Sequence, residues 1–418
     1  MRTISRWCAL ASVLGVFTVM TIFPSAAHEA HTAAAEKPAA AAGSGMPKRR
    51  APPIAIGAAF APNGVLWIVG LDDTKKLFVQ TSTDDGKRWS LPRVLNTGND
   101  KIAADGENRP KIAFGKEQQV VITYTEPLAK PYSGRIRMLR SADAGATFSS
   151  PFTVHQDTQE ITHRFESVAF DNSGVLHTAW VDKRDLEAAI TADAGASSKK
   201  NLYRGAAIYR NESRDGGRTF GPDIKLADHS CECCRIALAS SPDGGMVAMW
   251  RHVFEPNERD HAFAPLQGGA NNALTRATFD HWAIDACPHH GPGLAPDAEG
   301  GYHAVWFGIR NGAGRVRYGK LAADGSPRGE VRELPDERAE HATISSEGKL
   351  VVIPWRSFDG KATNWRAWVS ADNGNHFVLR ELGRSADEND HPLLARRDGR
   401  IFALWRTTQG IQVEEIAP

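Results

Sequence analysis

The chain has 418 residues, 41% of them hydrophobic and 24% charged, with 50 basic and 49 acidic side chains. That is apolar enough for a large core, and too evenly charged to hold nucleic acid or an anionic membrane surface. Arg2 and Arg6, an apolar run from Trp7 to Phe23 and then Pro24-Ser25-Ala26-Ala27 make up a secretory signal, with cleavage expected after Ala27. The run is short for a membrane span, which takes about 20 residues. Removing residues 1–27 takes the formal charge from +1 to −1. The expected product is periplasmic or secreted, with no membrane span left. Residues 28–51, rich in Ala, Lys and Pro, read as a flexible tether. Its first residues, His28 and His31, offer nitrogen to copper or zinc, although a polar tail is the plainer reading.

From residue 52 onward one unit recurs. A short apolar strand is followed by a Gly-containing turn and then by a β-branched run ending in an aromatic residue. The first copy runs from Ala58 through Asn63-Gly64 to Trp67, and the second from Lys111 to Tyr124. The remaining copies end at Trp180, Trp250, Trp306, Trp355 and Trp405. Short strands joined by Asn-Gly or Asp-Gly turns predict antiparallel hairpins. A period of about 50–70 residues fits four strands, one blade of a β-propeller. The fold class is therefore all-β, a single propeller over 52–418. Seven blades are favoured, with six as the alternative. The last unit holds about three strands, so a strand from residues near 50–57 is expected to complete it.

Four units carry a second signal, Ser-x-Asp-x-Gly-x-x-aromatic. Its copies are Asp84, Gly86 and Trp89; Asp143, Gly145 and Phe148; Asp215, Gly217 and Phe220; and Asp372, Gly374 and Phe377. The Asp accepts backbone N–H groups, the Gly takes a positive φ and the aromatic ring tucks under the blade. These copies resemble the Asp-box repeats of sialidases and other bacterial-neuraminidase-repeat propellers. The resemblance covers most of the chain and is specific for fold rather than activity. The sialidases it resembles have six blades.

In a propeller the segments entering the inner strands meet at one mouth of the central channel. They bring Glu107, Arg109, Arg164, Glu166, Arg235, His341, Asp390 and His391 there. The loops after the second strands add Arg184, Arg251 and Arg356, with Arg259, Asp260 and His261 from a longer insertion. Such a polar rim is a natural binding site for a small anionic ligand or a glycan. The sialidase resemblance implies an arginine clamp, a Tyr–Glu nucleophile pair and an acid–base Asp. Arginines are plentiful, but the Phe/Tyr-Arg-Ile-Pro motif is absent and Tyr318 reads better as a packed strand residue. Binding without sialidase activity is the first expectation. A sialidase-type hydrolase and a structural propeller that meets a protein partner are the alternatives.

The same rim holds Cys231, Cys233, Cys234 and Cys287, which are four of the five cysteines. Export favours disulfides among them, one plausible bridge joining blades four and five through Cys287. The alternative is a metal. Thiolates beside His289 and His290 suit copper or zinc, copper being favoured if the thiols stay reduced. On an extended segment Cys231 and Cys233 would share one face and Cys234 the other. The Cys-x-Cys-Cys-Arg and Cys-Pro-x-x-Gly-Pro entries, with Arg259–His261, also resemble an exported bacterial subgroup of sialidase-like proteins. That resemblance carries no reaction with it.

Overall fold

The computed structural model describes residues 53–194, 205–267, 274–284 and 289–417. The expected signal, the tether and Cys287 lie outside the described residues. The repeats form seven antiparallel sheets, six of four strands and one of three. Blade 1 spans 57–94, blade 2 111–153, blade 3 163–230 and blade 4 237–276. Blades 5, 6 and 7 span 293–333, 345–385 and 393–416. In each blade the chain steps outward from the channel, one neighbouring strand at a time.

Residue size explains the taper. Inner strands are short and small, such as Gly57–Phe60 and Ala237–Ser240, because they crowd the axis. The second strands are apolar on both faces, and Leu66–Leu71 and Met246–Arg251 are buried throughout. A strand covered on both sides reads as a continuous hydrophobic run. The rim strands Pro327–Glu333 and Val378–Ser385 are polar and largely exposed.

Each gap between blades holds its own apolar cluster. Trp67, Ile112 and Tyr124 fill the gap between blades 1 and 2, and Val121, Met138 and Trp180 the next. Leu66, Phe402 and Leu404 join blade 7 to blade 1. This corrects the expected closure. Gly57–Phe60 is the inner strand of blade 1, residues 53–56 form no strand, and blade 7 keeps three strands. The ring closes through side chains, without a shared sheet.

The four Asp-box turns lie between the third and fourth strands, at the end of the channel opposite the inner-strand entries. In blade 2, Asp143 Oδ1 accepts the Ser141 hydroxyl at 2.6 Å and the Thr147 N–H at 2.9 Å. Ser141 Oγ in turn accepts the Gly145 N–H at 2.8 Å. Gly86, Gly145, Gly217 and Gly374 have φ of 83°, 84°, 82° and 78°. Their missing side chains let each turn press on the preceding blade: Gly145 on Trp67, Gly217 on Val121 and Met138, and Gly86 on Val413 across the closure.

A further regularity ties the core to the mouth. The aromatic residue near the end of most second strands donates to a loop or strand end at the channel entrance. The Tyr124 hydroxyl reaches Asp100 at 2.7 Å and the Trp180 indole reaches Asp182 at 2.8 Å. Trp250 reaches Ser230, Trp306 Asp280, Trp355 Asp336 and Trp405 the Asp390 carbonyl, all at 2.8–3.1 Å. A buried indole needs a partner, and here that need positions the entrance loops.

Candidate functional site

Entry segments of several blades meet at one cavity. Glu107, Arg109, Lys111, Arg235 and His391 line a cavity of about 320 Å³ between the inner strands. Glu107 is its hub. Its two oxygens accept the N–H groups of Arg235 and Gly291 at 2.9 Å and pair with the Arg235 guanidinium at 3.1 Å. One carboxylate therefore ties blade 2 to the entries of blades 4 and 5. Burial opposes its charge, but Arg235 and His341 outweigh that and hold Glu107 far below the usual carboxylate range.

The arginines do not form a clamp. Arg109 reaches Asp390 at 2.8 Å, the Gly106 carbonyl at 2.6 Å and the Ile56 carbonyl at 3.1 Å. Arg235 also takes the carbonyls of Pro292 and Ala342, and Arg251 those of Arg259, His290 and Phe307. Arg356 binds the Asn389 carbonyl at 2.8 Å and Glu340 at 2.9 Å. Arg235, Arg251 and Arg356 strap their segments to later blades, while Arg109 reaches back to the entry of blade 1 and across to that of blade 7. Arg164 sits over Phe165 and 3.5 Å from Asp105. Arg184 opens the helix Arg184–Ala194 and pairs with Asp182 and Asp223, away from the cavity lining. The helix had no forewarning in the repeat pattern. Asp260 accepts from Arg276 and from the N–H groups of Asp280 and His281, so it braces the insertion.

Tyr318 is buried. Its hydroxyl lies 2.8 Å from His303 Nδ1 and against Gly374 of the next Asp-box, at the far end from the entries. It takes no part in the mouth. Glu166 is fully buried and accepts from Thr123, Thr125 and Lys111 at 3.1–3.3 Å. Burial lowers the Lys111 amine below its ordinary value, with Glu166 opposing.

The cysteines depart from the expected alternation. Residues 231–236 are not a strand, and the chain bends at 232–233. The segment is pinned at both ends. The Cys231 N–H donates to the Arg251 carbonyl at 2.9 Å and the Arg235 N–H to Glu107. The bend turns all three thiols inward, among Phe165, Ile236 and Trp250. Cys231 Sγ lies 3.8 Å from Cys233 Sγ and 3.7 Å from Cys234 Sγ. A disulfide measures about 2.05 Å, so no two of these three are bonded to each other. Arg259 Nη1 comes to 3.8 Å from Cys231 Sγ, while Glu232 turns away to Lys183. The Cys231 thiol, with burial, pushes Cys234 well above its ordinary value, against Cys233 and Arg251.

Beside the thiols lies His261, held by Thr278 Oγ1 at 3.1 Å through Nδ1, its Nε2 buried without a partner. Burial and then Arg251 keep it neutral, against Cys231. His289 is exposed with φ of 52°. His290, His341 and His391 meet face to face, a column that separate sequence positions gave no means of foreseeing.

No protein-family model matches the chain, and no curated protein does either. Solved structures share its fold. Polysaccharide lyase Uly1 aligns at a TM-score of 0.53, with 10% identity over 86% of this chain and 90% of that one. A PL25 ulvan lyase bound to a GlcA–Rha3S unit aligns at 0.51, with 12% identity over 87% and 94%. A NanB sialidase from Streptococcus pneumoniae aligns at 0.46, with 8% identity over 84% and 82%.

Proposed function

We propose that this chain is an exported metal-binding propeller, holding one soft ion, copper(I) or zinc, on Cys231, Cys233 and Cys234 at the channel mouth. One observation carries the reading. Tetrahedral zinc–thiolate bonds of about 2.3 Å place their sulfurs about 3.8 Å apart, and the measured separations are 3.7 and 3.8 Å. Three thiols within 4.8 Å of one another, two of them at ligand spacing from Cys231, lose little freedom on binding. The apolar surroundings favour thiolates neutralised by an ion over free thiolates. Thiolate ligands select copper(I) and zinc among common ions. The arginine ring, committed to carbonyls and carboxylates, offers no open clamp for a sialic acid carboxylate.

The test is metal analysis of the full chain, purified under reducing, anaerobic conditions after titration with copper(I) or zinc. About one thiol-bound ion per chain is expected. Cys233→Ser should weaken binding by more than the roughly 10–100-fold that loss of an outer-sphere partner costs. Equal uptake by wild type and a Cys231→Ser/Cys233→Ser variant sinks the reading. So does wild-type protein whose thiols remain blocked until a reductant is added, which would point to disulfides.

The 320 Å³ cavity favours a second reading, a small anionic ligand or glycan beside Lys111. Calorimetric titration with glucuronate and sialic acid, on wild type and Lys111→Met, tests it. Equal heats from the two proteins exclude it.

A further inference from the structure

His290, His341 and His391 occupy one topological position, just ahead of the inner strands of blades 5, 6 and 7. Their rings stack, His290 on His341 at 4.4 Å and 8°, and His341 on His391 at 3.4 Å and 11°. Phe307 covers the free face of His290 at 4.5 Å. The Nδ1 atom of all three is buried with no hydrogen-bond partner. A buried polar atom without a partner destabilises the fold, so three together at one place call for a reason.

Two carboxylates lie alongside. Glu107 is excluded as a ligand, because Arg235 and Gly291 already fill its oxygens. Glu340 is different. One oxygen meets Arg356 at 2.9 Å, and its side chain is 35% exposed, which opens a way in from solvent. Ligand atoms of His290, Glu340 and His341 all lie within 4.8 Å of one another. Two ligands at about 2.0–2.1 Å from one ion stand up to roughly 4.2 Å apart, so the atoms are near coordinating range and what remains is to turn a ring.

We propose that His290, His341 and Glu340 form a second metal centre, of nitrogen and oxygen ligands, for a divalent first-row ion such as zinc or copper(II). It stands independently of the sulfur site. Two imidazoles and a carboxylate suit such ions and leave open positions for water or a ligand, whereas the thiol cluster suits softer ones. Parallel rings cannot both hold an ion in plane, so binding turns one imidazole and breaks the stack. His391 then remains as the face on which His341 rests.

The experiment loads the full chain with copper(II), in a background with Cys231, Cys233 and Cys234 replaced by Ser so that no thiol of that cluster competes. Electron paramagnetic resonance reads nitrogen coupling directly. The expected result is one ion with imidazole coupling, at least tenfold weaker in Glu340→Gln and absent in His290→Ala/His341→Ala. His341→Gln, closer in size, guards against a folding defect and should also lose the nitrogen coupling. If either histidine variant keeps the background's spectrum and stoichiometry, the proposal falls. It falls equally if that folded Ser background takes up no copper(II). The background holds none of the three thiols, so failure here reads separately from failure of the sulfur site, which is tested on reduced wild type.

Discussion

At the scale of single residues, the Asp-box glycines and aspartates have separable roles. Gly145 combines φ of 84° with a position where an added Cβ would fall 2.6 Å from the Trp67 ring. Gly244 has φ of 89° and open space around it. Backbone strain of this kind costs about 1–3 kcal/mol. Gly244→Ala should show that strain alone, and Gly145→Ala should add a packing cost that exceeds it in urea unfolding. Equal losses would mean the turns do not press on the neighbouring blade. The aspartates set the acid limit. The Ser141 and Thr147 hydroxyls hold the Asp143 carboxyl down to about 2, and Arg88 holds Asp84 to about 2. Their folded values lie below the unfolded ones near about 3.9. Their contribution is therefore whole above about pH 4 and disappears as pH falls towards 2. The thermal midpoint should drop steeply across that window, and Asp143→Asn should make the drop shallower. A flat profile between pH 5 and 2.5 would contradict this.

At the scale of elements, the mouth is held by ties between blades. Glu107 joins blade 2 to blades 4 and 5, so Glu107→Gln leaves the Arg235 guanidinium without its charge partner. Breaking a buried pair on one side costs about 3–5 kcal/mol. Calorimetry should show a loss of that order. A loss below about 1 kcal/mol would place Glu107 among the weak surface pairs. The elements themselves were legible because they repeat. Seven aromatic-ended strands and four Asp-boxes announce seven sheets before any coordinate is seen. The fate of Arg235 and Arg251 was not legible, because they reach backbone carbonyls of later blades, and that of Arg109 was not, because it reaches back to the Ile56 carbonyl; carbonyl partners carry no sequence mark. The thiols were misjudged for a local reason. Alternation applies to a strand, and the bend at 232–233 removes it. The entry positions share a topological place that the repeat pattern marks, while the stacking of His290, His341 and His391 depends on ring orientation.

For the whole molecule, the closure decides how the ring fails. Most blade interfaces join consecutive stretches of chain, but blades 1 and 7 come from its two ends with no common sheet. Their union rests on Leu66, Phe402 and Leu404, on Val413 under Gly86, on Arg397 to Asp85 at 2.6 Å and on the Ile56 N–H to Asp390 at 3.0 Å. Arg397 also takes the Gly64 carbonyl at 2.9 Å and lies over Phe60 and Phe402. Losing it removes a charge pair and apolar cover together. An opened ring becomes a row of blades, each stabilised only by its neighbours, and such arrays fray from their ends. Arg397→Ala/Val413→Ala should therefore speed hydrogen exchange first in 57–82 and 393–416, while Trp306 and its neighbours in blade 5 stay protected. Uniform acceleration across all seven blades would show that the closure is no weaker than the other interfaces, and that the ring unfolds as one unit from any point.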